Sequence, residues 1–380
     1  LGIKNDFETH QRIHYVGEFP LKFDHPGDMT IIGSARVRPE VITAMAEAAE
    51  AYVDVIDLQR LAGKRLAQLI GVEGCYIAGG CAAGLAIATA ACMTGGTQAL
   101  VAQLPDTTGM KADVIMQRSH RNPYDHAFRQ VGARIVEIGH ASQTYDWELE
   151  AAIGPQTAAV IYVYTQRTMN LPLSLSETVA IAHAQNIPVI VDAAAEVPPV
   201  ENLRGLQDTG ADVVVISGGK GLRGPQNSAL VLGSGDFTEA CIPHAAPLHS
   251  HGRSMKTTKE DMVGLVRAVE LFLAQDHDAI ATGWVQQVER VISDLRAIPG
   301  VQATRSQARY SEGIPLAHVE VDAAQCGISA TDIAKKLSAG NPDIRVSHGD
   351  NWLGINPQFL EDDDVELIIA RLRQLLNTVR

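Results

Sequence analysis

The sequence predicts an α/β fold: a large domain with a mostly parallel sheet between helices, followed by a small C-terminal α+β domain. Two observations predict it. Through the middle of the chain, short β-branched runs alternate with helix-like stretches, and the runs are continuously apolar, as strands covered on both faces must be. After Lys259 the texture changes to longer helical segments with fewer strands. A chain of 380 residues suffices for one large and one small domain. The expected division is 1–265 for the large domain with its N-terminal segment and 266–380 for the small one, with the hinge inside the helix that follows Lys259.

In chain order, Pro39 to Ala51 reads as a helix with proline at a favoured first position, and Asp57 to Ile70 as a second. Ala82 to Thr94 is a helix rich in small residues. Leu100 to Gln103 and Arg134 to Ile138 are weaker strand candidates. Thr157 to Val163 (TAAVIYV) is a buried strand. Leu175 to Gln185 is a helix with Ser174 or Ser176 as N-cap. Ile187 to Asp192 (IPVIVD), Ala211 to Ile216 (ADVVVI) and Ser228 to Leu232 (SALVL) complete the sheet. In the small domain, helices are expected over Glu260 to Ala274, Val285 to Ile298, Ala330 to Leu337 and Asp363 to Leu376. Its strands are expected over Ala317 to Val321 and Asp343 to His348.

Composition narrows the function class. Hydrophobic residues make up 46% and charged residues 20%, which supports an ordinary globular core. The formal net charge of −13 disfavours a nucleic-acid partner. The five cysteines, Cys75, Cys81, Cys92, Cys241 and Cys326, show neither metal-ligand nor disulfide-framework spacing. They read as reduced thiols in a cytoplasmic protein without a metal site. No run approaches the 18 or more apolar residues of a membrane span, and Leu1 to Glu18 lacks a signal-peptide core.

Three features carry chemistry. Ser217-Gly218-Gly219-Lys220 directly follows a buried strand, where α/β sheets bind ligands, although a surface turn with a solvated lysine fits the same residues. Asp192 ends the run IPVIVD; a carboxylate there must be paired or hydrogen-bonded, as a structural ion pair or helix cap would also satisfy. Gly79-Gly80-Cys81-Ala82-Ala83-Gly84 opens the small-residue helix. Its backbone N–H groups favour an anion, while its small side chains equally fit close helix packing. Their order makes them specific together: a phosphate turn, a strand-end aspartate, then a strand-end lysine. That order fits pyridoxal 5′-phosphate (PLP), whose pyridine nitrogen needs a carboxylate and whose aldehyde needs a lysine.

The chain resembles fold-type-I PLP enzymes of the selenocysteine synthase-like family, with an aspartate aminotransferase-like fold, and within them the branch typified by D-glucosaminate-6-phosphate ammonia-lyase. The resembling stretches are DMTIIGSARVRPEVITAMAEAA, VDVIDLQRLAGKRLAQLIG, AGGCAAGLAIATAACMTG, HRNPYDHAFRQVGARIVEIG, IPVIVDAAAEVPP, DVVVISGGKGLRGPQNSALVLG and GRSMKTTKEDMVGLVRAVE. They cover most of residues 28–275, and IPVIVDAAAE with SGGKGLRGPQ is the most specific pair. The resemblance implies that Lys220 holds the cofactor as a Schiff base and moves the α-proton, and that Asp192 pairs with the pyridine nitrogen. It places Gly80, Cys81, Ala82 and Ser217 at the phosphate. It puts His120 over the ring, with His126 the rival. Arg223, Gln226, Arg253, Lys256 and Arg36 are substrate candidates, and Arg38 stands beside Arg36.

The implied reaction is α,β-elimination on a hydroxylated amino acid or amino sugar acid, with ammonia released. Racemisation, epimerisation or aldol cleavage on the same scaffold are the alternatives. A selenocysteine synthase-type transferase and a non-catalytic PLP-binding protein stand further off. Cys81 in the phosphate turn and IIGSARV near the start depart from the branch pattern and leave the substrate open. The expected partners are a small-molecule amino acid substrate and further copies of the chain, as a homodimer or larger, with no nucleic acid and no membrane.

Overall fold

The computed structural model describes residues 14–15, 30, 33–165, 168, 171, 173–307 and 313–377. They form two compact units, one of Ala35–Gln275 and the other of Asp276 onward with the described residues before Ala35.

Strand β1 (His14–Tyr15) belongs to the smaller unit. The larger unit is built on β2 (Gly74–Ala78), β3 (Asp113–Gln117), β4 (Arg134–Ile138), β5 (Thr157–Val163), β6 (Val189–Asp192), β7 (Val213–Ser217) and β8 (Ala229–Gly233). They pair in the order β2-β8-β7-β6-β5-β3-β4. Every strand runs the same way except β8, which is antiparallel to both its neighbours. The apolar runs are continuous because both sheet faces are covered. Along β6, Val189 and Val191 enter one core with Leu66, Tyr162 and Leu265, while Ile190 enters the other with Leu85, Met116 and Phe128. This two-residue alternation leaves no strand face for polar side chains.

Three helices shape the approach to the site. α1 (Pro39–Ala49) starts at its proline, as expected. α2 (Val55–Ile70) is capped by Asp54, whose carboxylate accepts from the N–H of Ile56 and Asp57, and it ends at Gly71 in the left-handed region. α3 (Cys81–Thr94) is almost wholly buried, and its small residues have a packing reason. A Cβ on Gly84 would lie 3.0 Å from both Val215 Cγ1 and Val231 Cγ2. A larger side chain would push the helix off the sheet.

The smaller unit carries β9 (Val301–Gln307), β10 (Pro315–Val321), β11 (Ile344–Arg345), β12 (Ser347–His348) and β13 (Trp352–Ile355). Four of them form an antiparallel sheet in the order β12-β13-β10-β9, and β1 pairs in parallel with β11. Helices His277–Leu295, Ala330–Ser338 and Asp362–Asn377 enclose a core that includes Ile292, Val319, Ile333 and Ile368.

Several sequence expectations change. Leu100 to Gln103 lies in a helix, Gln98–Gln103, because a four-residue apolar run carries no period that separates helix from strand. β2, β3, β9 and β13 were not anticipated. β2 (GCYIA) and β3 (DVIMQ) are short and mix cysteine, methionine or glycine with their branched residues. Asp343 to His348 contains two strands, β11 and β12, in different sheets. The units divide after Gln275, whereas residues 265 and 266 lie within the unbroken helix Lys259–Leu273. The N-terminal segment was expected with the large domain, yet β1 pairs in the smaller unit.

Candidate active site

Because β2, β3, β5, β6 and β7 run in one direction, their C-terminal ends share one edge of the sheet. Asp192 is the last residue of β6 and is 7% exposed. Its register partners are Val163 at the end of β5 and Val215 in β7. Burial pushes its carboxyl up from the ordinary value, opposed by the positive charge of Lys220 and by the N–H of Ala194, which donates to Oδ1 at 3.2 Å. Desolvation disfavours the charged carboxylate, and a cation at this spot would favour it.

Lys220 follows β7 through a tight glycine turn. Gly218 N–H donates to Ser228 C=O at 2.9 Å, and Gly224 N–H to Gly218 C=O at 2.8 Å. The glycines are required by crowding. A Cβ on Gly218 would lie 2.1 Å from Ser228 Oγ, and one on Gly221 would lie 1.8 Å from the carbonyl of Val197. The same loop after β6 that follows Asp192 therefore presses on the residue after Lys220. Ser217 ends β7 and donates its N–H to Ala194 C=O at 3.3 Å.

His120 lies in a single 3-10 turn, Arg118–His120, straight after β3. It is 2% exposed, its ring meets Tyr162 edge-on at 4.5 Å, and its Nδ1 accepts the N–H of Val163 at 3.3 Å. A ring nitrogen that accepts carries no proton, so this bond assigns the neutral tautomer protonated at Nε2. His126 is exposed at the start of the short helix His126–Arg129, so the structure brings His120 and not His126 to the strand ends.

At the end of β2, Gly80 has φ 95° and a Cβ built there meets nothing within 4 Å. α3 begins without a side-chain cap, its first internal bond running from Gly84 N–H to Gly80 C=O at 2.9 Å. Cys81 is half-buried and Ala82 exposed, so the first turn of α3 borders open space. Lys256 and Arg253 are exposed, but the backbone carbonyl of Lys256 lies against Gly79, 3.0 Å from a Cβ built there. Gln226 and Arg36 are exposed; the Arg36 carbonyl accepts from Arg223 Nε at 3.0 Å.

Two buried residues at this edge were not singled out from sequence. Glu196 is 1% exposed, in the loop after Asp192, with its backbone carbonyl held by Asn202 Nδ2 at 2.7 Å. Thr168 is 3% exposed, and its hydroxyl donates to Val163 C=O at 2.6 Å. Glu196 stands inside the run IPVIVDAAAE, but nothing in that run says a loop carboxylate folds inward.

The family model described as aminotransferase class-V matches residues 94–351, which span β3 through β12 and hold Asp192, Lys220 and His120. The chain belongs to the aminotransferase class-V family. It is 36% identical over 357 residues to D-glucosaminate-6-phosphate ammonia lyase of Salmonella typhimurium (strain 14028s / SGSC 2262), covering 92% of this chain and 94% of that relative. It is 33% identical over 393 residues to 5′-C-glycyluridine monooxygenase-decarboxylase of a Streptomyces species, covering 98% of this chain and 96% of that relative. A solved structure of D-glucosaminate-6-phosphate ammonia-lyase superimposes with a TM-score of 0.83 at 32% identity, covering 100% of this chain and 99% of that one.

The fold is that of fold-type-I PLP enzymes, and the cofactor of this class-V enzyme is PLP. The residues present suit it. A buried carboxylate that wants a cation matches a protonated pyridine nitrogen, and the uncapped start of α3, with open space at Gly80, matches a phosphate. Among the described residues no group of three or more His, Cys, Asp or Glu side chains is arranged to hold a metal, and no helix is long and apolar enough to cross a membrane. All five cysteines are free thiols, and burial pushes Cys75 and Cys92 up to about 12.

Proposed function

We propose that this class-V enzyme is a PLP-dependent ammonia-lyase that dehydrates a hydroxylated amino acid or amino sugar acid. The observation that carries the reading is a buried strand-end carboxylate, Asp192, within electrostatic reach of Lys220, three residues past the end of the neighbouring strand, in a chain 36% identical to an ammonia lyase along nearly its whole length.

In this reading Lys220 would anchor PLP, Asp192 would pair with its pyridine nitrogen, His120 would stack on its ring, and Gly80, Cys81, Ala82 and Ser217 would hold its phosphate. When bound, PLP supplies an electron sink for negative charge at the substrate α-carbon. Lys220 takes the α-proton at Nζ and returns a proton to the departing β-hydroxyl, which leaves as water. Asp192 would keep the pyridine nitrogen protonated, the charge state in which the ring draws electrons from the α-carbon. His120, neutral and tied to Val163, offers a flat face and a single N–H without competing for the α-proton. Hydrolysis of the dehydrated product then releases ammonia and a 2-oxo acid.

A second reading has its own support, because the chain is equally full-length against a relative whose name describes a monooxygenase-decarboxylase. That chemistry would consume dioxygen and release carbon dioxide. The cytoplasm and a homodimer or larger assembly complete the proposal. The free thiols support the former. Exposed Ile42, Tyr52, Val53 and Leu61 on and between the first two helices support the latter.

The test is absorbance of the PLP-supplied enzyme between 300 and 500 nm, alongside Lys220→Ala, followed by product analysis on a panel of D- and L-hydroxy amino acids and aldonic amino acids. A band near ~420 nm that the variant lacks, with ammonia released, supports the lyase. Carbon dioxide and oxygen uptake instead favour the second reading. Absence of the band from wild type overturns both.

A further inference from the structure

His120 sits on a turn with little stiffness of its own. The 3-10 turn Arg118–His120 is closed by one backbone bond, Arg121 N–H to Arg118 C=O at 3.2 Å, and a second short turn, Pro123–Asp125, follows it. Charged side chains tie the two down. Arg121 forks between two carboxylates: its Nε donates to Asp125 Oδ2 at 2.5 Å and its Nη1 to Glu137 Oε2 at 2.7 Å. The other Glu137 oxygen lies 3.6 Å from Arg118 Nη1. One carboxylate therefore grips the chain on both sides of His120. Buried Asp125 extends the grip. Its Oδ1 accepts the N–H of Asn122 at 3.4 Å, and Asn122 Nδ2 donates to the His120 carbonyl at 3.1 Å.

The anchor belongs to the sheet, and the turn leads to the site. Glu137 lies in β4, the last strand of the sheet, in register with Met116 of β3. On the other side of the turn the His120 ring meets Tyr162, and its Nδ1 accepts the N–H of Val163, the register partner of Asp192. A chain of contacts thus runs from the edge strand through His120 to the strand-end carboxylate.

We propose that Glu137 and Arg121 are positioning residues that fix the imidazole of His120 at the strand ends and thereby set how firmly the cofactor ring is held. This rests on the reading of Lys220 as the cofactor lysine and of His120 as the residue stacked on the ring. Stacking is sensitive to placement: a gap of about 0.5–1 Å forfeits roughly a quarter to a half of a dispersion contact. A rigid guanidinium fork bonded to two carboxylates at once fixes direction as well as distance, which the point charge of a lysine does not.

The experiment measures PLP retained by the loaded full chain on serial dilution, followed by the lysine-dependent absorbance band and its circular dichroism, with melting curves alongside. Wild type is compared with Arg121→Gln, Glu137→Gln, the conservative Arg121→Lys and the control Arg60→Gln, which breaks the exposed pair with Glu239. The two glutamine variants are also made in a His120→Ala background. Arg121→Gln and Glu137→Gln should each weaken PLP retention by about 3- to 10-fold and change the dichroism of the band. Arg121→Lys should recover part of the loss, and Arg60→Gln should show none. In the His120→Ala background the same two substitutions should cost less than about 2-fold, because the ring they position is gone. The proposal is overturned if the folded glutamine variants keep wild-type affinity and dichroism, or if their losses are as large without the imidazole. It is also overturned if both fail to fold, which would make the network a support of the whole unit. Absence of the band from wild type is a different failure and strikes the PLP reading.

Discussion

Asp192 and Lys220 act on one another across the ends of two adjacent parallel strands, with Asp192 in register with Val215 of the strand that leads into Lys220. Neither position is exceptional alone. Their adjacency puts a buried carboxylate and an amine at one edge of the sheet.

Asp192→Asn keeps the shape and removes the charge. Loss of one partner from a buried charged contact costs about 3–5 kcal/mol, which corresponds to roughly a 10²- to 10⁴-fold fall in turnover if the contact is made in the transition state. Ammonia release at saturating substrate measures it, with PLP content determined in parallel. Undiminished turnover in the asparagine variant would remove Asp192 from the mechanism.

His120→Phe tests the tautomer assignment. Phenylalanine retains a ring against Tyr162 but leaves the N–H of Val163 without its acceptor. An unsatisfied buried donor costs about 1–3 kcal/mol, so the urea midpoint should fall even where the cofactor still binds. An unchanged urea midpoint would mean that the Val163 N–H does not depend on the imidazole.

Gly63→Ala should destabilise, although glycine to alanine inside a helix normally stabilises by roughly 0.5–1 kcal/mol. A Cβ at Gly63 would lie 2.1 Å from the carbonyl oxygen of Cys75 in β2, so α2 would have to lift off the sheet. The expected loss is about 1–3 kcal/mol, read as a lowered melting temperature. A raised melting temperature would mean that α2 and β2 are less tightly apposed than the structure shows.

Acid should weaken the larger unit through a buried histidine pair. His244 is fully buried, its Nε2 bonds Thr94 Oγ1 at 2.8 Å, and its ring lies 5.9 Å from that of His251. Burial, with a smaller contribution from His251, pulls His244 down to about 4; burial also pulls His251 down. The unfolded chain then binds protons that the folded one refuses. Stability is complete above the unfolded value of about 6.5 and falls as pH drops toward 4, by the order of 3 kcal/mol for His244. Urea midpoints between pH 7.5 and 4.5 should show a decline that His244→Asn flattens. An identical decline in the variant would assign the acid lability elsewhere.

Much of this was legible in the sequence because the signals were local. IPVIVD and ADVVVI could only be strands covered on both faces, since Val189, Ile190 and Val191 have no polar alternate to turn outward. Pro39 set the start of α1 and Ser174 the cap of the helix Leu175–Ala184. β2 and β3 were missed because five-residue runs with cysteine, glycine or methionine carry no distinctive period. The extent of the helix Lys259–Leu273 hid the division after Gln275.

The sequence by itself determined the fold class, the strand-end lysine and aspartate, and the glycine-rich turn, because each depends on residue type and on neighbours a few positions away. Tertiary structure decided the rest. It buried His120 at the strand ends and left His126 exposed, folded Glu196 inward, and joined Ala35 and Arg36 to the turn around Lys220. Those outcomes depend on which strand ends share an edge and which loops cross them, and contacts between distant segments leave no trace in local pattern.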